Sequence, residues 1–142
     1  MATIKVNLKR VNDAYHFEAV NQDSVKINID ASADIGGQNK GFRPMQLLLA
    51  AIGGCSSIDI VTILKKQRQE MESFDIEVTG EREDVGTYSL YRNIHMHFIL
   101  KGKVEKGKAE RAVELSVDKY CSVAKTLEPT AKITYDVSVN DN

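Results

Sequence analysis

The chain has 142 residues, the size of one domain, and 19 basic residues against 20 acidic ones leave a net charge of -1. That length can bury a substantial core, and the balanced charge excludes the electrostatic footprint of a nucleic-acid or anionic-membrane partner. The start, Met1-Ala2-Thr3-Ile4-Lys5, lacks a basic-then-apolar leader pattern. The longest apolar run reads as too short and too glycine-interrupted to span a bilayer, so a soluble cytoplasmic protein is expected.

The first thirty residues alternate in period two. Ile4, Val6 and Leu8, then Tyr15, Phe17 and Ala19, then Val25, Ile27 and Ile29 share a face, with Lys5, Asn7, Glu18, Lys26 and Asn28 opposite. Asn12-Asp13 and Asn21-Gln22-Asp23 supply turns, so a small antiparallel meander is expected, one that needs a cover on its apolar face. From Ala31 to Phe42 the pattern stops, and Gly36-Gly37, Asn39 and Gly41 mark a mobile loop. Pro44 suits a first helical turn, and a long helix is expected from about Pro44 to about Glu72, its apolar first half buried and its charged second half in solvent.

Strands resume at Phe74, Ile76 and Val78 and again over Asn93–Leu100, connected near Gly86-Thr87, with Gly102 closing the hairpin. A second helix is expected from about Lys106 to Lys119, its stripe made by Ala109, Ala112, Val113, Ser116, Val117 and Tyr120. Ile133, Tyr135, Val137 and Val139 then alternate as a last strand. The order is α+β, with antiparallel sheets around a pair of helices in a single domain over 1–142, and a buried helix touching several sheets suggests an intimate dimer.

Two cysteines, Cys55 and Cys121, stand in helix-like segments. In a reducing compartment they are free thiols or a transient disulfide rather than a permanent staple, and they are too few for a zinc site by themselves. Gly53-Gly54 before Cys55 costs roughly 1 kcal/mol per glycine relative to alanine inside a helix. Close packing, or room beside the sulfur for a small substrate, would each offset that.

Cysteine also behaves as a small buried hydrophobe, so by itself Cys55 reads first as a structural core residue. Asp59, one turn beyond it, does not favour a thiolate, and the cation in context is Arg43, about 18 Å from Cys55 along a regular helix axis. Cys121 sits at a helix N-terminus if a new segment begins there and runs to Leu127, with Lys125 one turn on; a buried structural cysteine is the other reading. His95 and His97 share a strand face without a third metal ligand at a telling spacing, and no metal is expected. His16 points outward. There is no Ser-His-Asp arrangement, P-loop or dinucleotide fingerprint, and no cofactor is expected.

The run Arg43-Pro44-Met45-Gln46-Leu47-Leu48-Leu49-Ala50-Ala51-Ile52-Gly53-Gly54-Cys55-Ser56-Ser57-Ile58-Asp59-Ile60-Val61 resembles the first cysteine motif of the OsmC/Ohr family. Lys119-Tyr120-Cys121-Ser122-Val123-Ala124-Lys125-Thr126-Leu127-Glu128-Pro129 resembles the second, and the order of elements fits along essentially the whole chain. The resemblance implies an OsmC-like fold, an intertwined homodimer with sites at the subunit interface, and thiol-dependent reduction of organic hydroperoxides in oxidative or osmotic stress. It implies Cys55 as peroxidatic thiol and Cys121 as the thiol that condenses with it, a thiol or dithiol reductant reopening the disulfide.

The chain departs from the family at one place. Well-studied members carry a glutamate after the motif's proline, paired with an arginine near the thiol; here that place is Met45, followed by Gln46, and Arg43 is the substitute assigned to substrate binding. An OsmC-like binding or stress-associated protein with little or no turnover is the alternative this departure keeps open.

Overall fold

Two strands of sixteen residues each form the longest feature of the chain. The computed structural model describes residues 1–142, and in chain order they form β1 (Asn7–Arg10), β2 (Phe17–Val20), β3 (Lys26–Ile29), a 3-10 turn (Ala33–Ile35), α1 (Pro44–Lys66), β4 (Glu70–Val85), β5 (Tyr88–Lys103), α2 (Lys106–Leu115), a π-helical turn (Ser116–Tyr120), α3 (Ser122–Leu127) and β6 (Lys132–Val139). The chain divides into two compact units, Met1–Leu48 and Leu49–Asn142.

In the first unit β1, β2 and β3 form the expected antiparallel meander. The segment after it is tied down rather than loose. The buried Asp30 carboxylate accepts the backbone N–H groups of Ala31 at 2.8 Å and of Gln38 and Lys40 at 3.1 Å each. Phe42 adds backbone bonds to Asn28 and Asp30, both 3.0 Å. Burial by itself would raise the Asp30 carboxyl; the three N–H donors and the nearby His16 charge outweigh it and hold the group below its ordinary range. His16 is half-buried, its Nε2 2.9 Å from Asn28 Oδ1.

In the second unit the sheet order is β4-β5-β6. The hairpin turns at Gly86, whose φ of 71° suits glycine, and two register shifts, between Met71 and Ser73 and between Glu81 and Arg82, bend it. Gly102 lies within β5 rather than closing the hairpin. The last strand pairs parallel to β5, from Asn93 opposite Lys132 to Leu100 opposite Val139, so this sheet is mixed where antiparallel pairing throughout was expected. A parallel neighbour requires a crossover, and α2, the π-turn and α3 provide it.

The core of this unit collects Ile94, Met96, Phe98 and Leu100 from β5, Ile52, Ile60 and Leu64 from α1, and Ala109, Ala112, Val113, Val117, Cys121 and Ala124 from the crossover, nearly all fully buried. Each large apolar side chain so buried contributes about 1.5–3 kcal/mol.

Helix α1 departs from its expected form in three ways. It ends at Lys66, short of Glu72, because the Arg68 N–H bonds Lys65 O at 3.0 Å and the Gln69 N–H bonds Leu64 O at 2.9 Å, the paired bonds of a Schellman C-cap. Its burial follows one face, Ile52, Gly53, Ser56, Ile60 and Leu64, along its length instead of separating a buried first half from an exposed second half. Finally, its 23 residues, with a mean hydropathy of 2.0 in the most apolar window, are long and apolar enough to cross a membrane by length and composition, contrary to the expectation from the sequence. The inward face of that helix instead packs within Leu49–Asn142, where a Cβ on Gly53 would stand 3.0 Å from Val78 Cγ2.

Candidate functional site

The apolar stripe of α1 is interrupted by one fully buried serine, Ser56, and that of the crossover by another, Ser116. A buried hydroxyl is costly unless it is hydrogen-bonded, and both are. Ser116 Oγ donates to the Ser56 backbone carbonyl at 3.0 Å and lies 3.1 Å from Asp59 Oδ2. Ser56 Oγ donates to Cys121 Sγ at 3.3 Å. The expected single helix from Lys106 to Lys119 is α2 followed by a π-turn, closed by the Cys121 N–H to Ser116 O bond of 2.7 Å. The wide turn carries Tyr120 off the buried stripe into solvent and sets Cys121 down inside.

Cys121 has extended backbone angles and is the N-cap of α3, its sulfur accepting the Ala124 N–H at 3.3 Å. A new segment from Cys121 to Leu127 therefore forms. Lys125, the cation expected one turn on, is exposed and lies 3.5 Å from the Glu128 carboxylate.

The two cysteines, 66 positions apart in sequence, come near each other here. Both are free thiols, Cys55 partly exposed and Cys121 buried, and they lie near each other. Burial pushes the Cys121 thiol up, and the Cys55 sulfur near it works the same way. Ser56 O–H and Ala124 N–H oppose them without cancelling them. A buried thiol near a more accessible one is an arrangement suited to thiol–disulfide chemistry: the outer sulfur meets an oxidant and the inner one is near enough to close on it.

The paired glycines separate the two uses foreseen for them. Gly53 permits close packing against Val78, and Gly54, next to Cys55, faces open space.

Arg43 belongs to the first unit, and its partners lie in its own loop. Its Nη1 donates to Asn39 Oδ1 at 3.1 Å and to Gly41 O at 3.2 Å, while Gln46 Oε1 accepts the Arg43 backbone N–H at 2.9 Å. Asn39, Lys40, Gly41, Phe42, Arg43 and Gln46 line an open concavity of about 430 Å³.

His95 and His97 share the outer face of β5, as the two-residue period requires. Parallel β6 supplies a neighbour that sequence spacing did not point to: Asp136 Oδ1 is 2.8 Å from His95 Nε2 and 3.0 Å from His97 Nδ1. Burial would raise the Asp136 carboxyl, but the hydrogen bonds from both histidines and their charges hold it low.

The residues missed from sequence are Ser56 and Asp136, with Ser116 seen only as part of a stripe. The one available signal was a serine standing where a helix face is otherwise apolar.

A family model described as OsmC-like protein matches residues 37–136. Protein YhfA of Escherichia coli strain K12 is 43% identical over 102 residues, which cover 71% of this chain and 75% of that protein. The structure is similar to that of a hypothetical protein from Aquifex aeolicus VF5, 34% identical with a TM-score of 0.80 over 99% of each chain. An organic hydroperoxide resistance protein OsmC from Legionella pneumophila, 16% identical over 98% of each chain with a TM-score of 0.73, shares the fold.

Proposed function

Since this chain belongs to the OsmC-like protein family, we propose that it reduces organic hydroperoxides through the thiols of Cys55 and Cys121. The observation that carries this reading is the proximity of a partly exposed free thiol to a buried one. The Cys55 thiolate attacks one peroxide oxygen and the O–O bond breaks. The alkoxide leaves and takes a proton to become the alcohol, and Cys55 becomes a sulfenic acid. Cys121 then attacks the Cys55 sulfur, its proton and the departing hydroxide leave as water, and a disulfide forms. A dithiol reductant exchanges with that disulfide, is itself oxidised, and restores both thiols.

Around this chemistry the proposal is a single OsmC-like domain over 1–142, cytoplasmic, acting as a homodimer in oxidative or osmotic stress, with Arg43 in substrate binding. The homodimer is supported by apolar side chains left in solvent by a single chain: Leu8, Val25 and Ile27 in the first unit, Leu48 and Ile58 on α1. Purified protein given a dithiol and an alkyl hydroperoxide is expected to consume the peroxide, and Cys55→Ser to lose that activity; equal rates for both would end the proposal.

A second reading is favoured by the Arg43 side chain, whose hydrogen bonds go to Asn39 and Gly41 and which has Met45 where the family has its glutamate partner. In that reading the chain binds a small molecule with little turnover. Ligand-induced stabilisation without thiol oxidation would support it.

A further inference from the structure

We propose that Ser56 is the positioning residue for the second step of this chemistry: its hydroxyl holds the Cys121 sulfur in place and favours its attack on oxidised Cys55. The inference rests on the redox-pair reading and adds to it a residue that decides how the intermediate is partitioned.

The geometry is specific. Ser56 follows Cys55 in α1, yet its side chain is on the buried face and its Oγ donates to Cys121 Sγ at 3.3 Å. The Ala124 N–H reaches the same sulfur at 3.3 Å, so two donors address one buried atom. The serine is itself braced, since its backbone carbonyl accepts the Ser116 hydroxyl at 3.0 Å. Cys121 thus has donors aimed at its sulfur from α1 and from α3, an arrangement matched to a sulfur that must carry negative charge when it attacks.

Charge also orders the two steps. Burial does most to keep the proton on Cys121, and while Cys55 is a thiolate its charge works in the same direction. Oxidation to the neutral sulfenic acid removes that charge, and the donors from Ser56 and Ala124 are then opposed chiefly by burial. Oxidation of Cys55 thus removes one of the influences that keep the proton on Cys121, while the Ser56 and Ala124 donors stay aimed at its sulfur. The other titratable groups around this contact are Asp59, 3.1 Å from Ser116 Oγ, and Lys125, which lies beside Glu128 in solvent.

In the attacking step the Cys121 sulfur forms the S–S bond, the Cys55 S–O bond breaks, and hydroxide leaves with the Cys121 proton as water. The sulfenic acid is consumed either by this step or by an external trap, so the ratio of trapped product to disulfide measures the rate of attack.

The test is a single turnover of wild type and Ser56→Ala with an alkyl hydroperoxide in the presence of dimedone, read by intact mass and peptide mapping across pH, with thermal melts to confirm folding. Losing one hydrogen bond to a developing thiolate is expected to raise the ratio of dimedone-modified Cys55 to Cys55–Cys121 disulfide about tenfold at neutral pH. The pH profile of disulfide formation moves to higher pH, and Ser56→Thr, which keeps the hydroxyl, restores both.

A Ser56→Ala ratio and pH profile equal to those of wild type overturn the role of Ser56 alone, because the disulfide still forms. A ratio raised equally by Thr and Ala also overturns it, by assigning the effect to packing. Wild-type protein that forms neither adduct nor disulfide overturns the redox-pair reading and this inference with it.

Discussion

Asp30 and Cys121 are both buried acidic groups, and they end on opposite sides of their ordinary values because of the donors around them. Asp30 has three backbone N–H groups on its carboxylate, enough to overcome burial, whereas Cys121 has two donors, a neighbouring thiol and a net shift upward. The lowered Asp30 value makes its contribution to stability present above the unfolded carboxyl value of 3.8 and lost as pH falls through the folded one. In denaturant titrations, wild type is expected to be more stable than Asp30→Asn at neutral pH, the difference shrinking below pH 3.8; a difference independent of pH would contradict it. Replacing Cys121 with serine is expected to leave peroxide-treated Cys55 as trappable sulfenic acid that proceeds to sulfinic acid with excess oxidant, followed by mass. The cysteines were legible because motif and residue type coincide. Asp30 was not: three glycines and an asparagine signal turns, and nothing in them shows that one carboxylate gathers the loop's N–H groups.

At the scale of elements, the end of α1 shows where punctuation in the sequence fails. The left-handed position of the Schellman cap is Arg68, with φ of 56°, where glycine is usual. With no glycine to mark the stop, the charged run Lys65–Glu70 reads as more helix. Arg68→Gly is expected to relieve the side chain's conflict with the backbone and stabilise the protein by about 1 kcal/mol, a rise in Tm of about 3 °C; a fall in Tm would show that the Arg68 side chain contributes more than its strain costs. The stripe from Ala109 to Val117 is readable in the sequence, but Tyr120 leaves it because helical periodicity assumes 3.6 residues per turn and the π-turn breaks that phase. Parallel β6 followed from the helical crossover between Lys103 and Lys132, a topological constraint that alternation within the strand does not carry.

For the whole molecule, period-two and helical patterns told where apolar faces lie, but not which face a single chain can cover. Helix α1 has apolar residues on more than the side that is buried. One side is packed within Leu49–Asn142, and the other leaves Ile58 69% exposed, the side we assign to a second copy. Ile58→Asp is therefore expected to shift sedimentation from a dimer to a monomer with the secondary structure retained; a wild-type monomer would contradict that assignment. The redox chemistry is tested most directly by titrating the reduced protein with an alkyl hydroperoxide and mapping the cysteines by mass. Rapid formation of one Cys55–Cys121 disulfide per chain at low peroxide, with the loss of two hydrogens, is the expected result, and slow independent oxidation of the two thiols to sulfinic and sulfonic acids contradicts it.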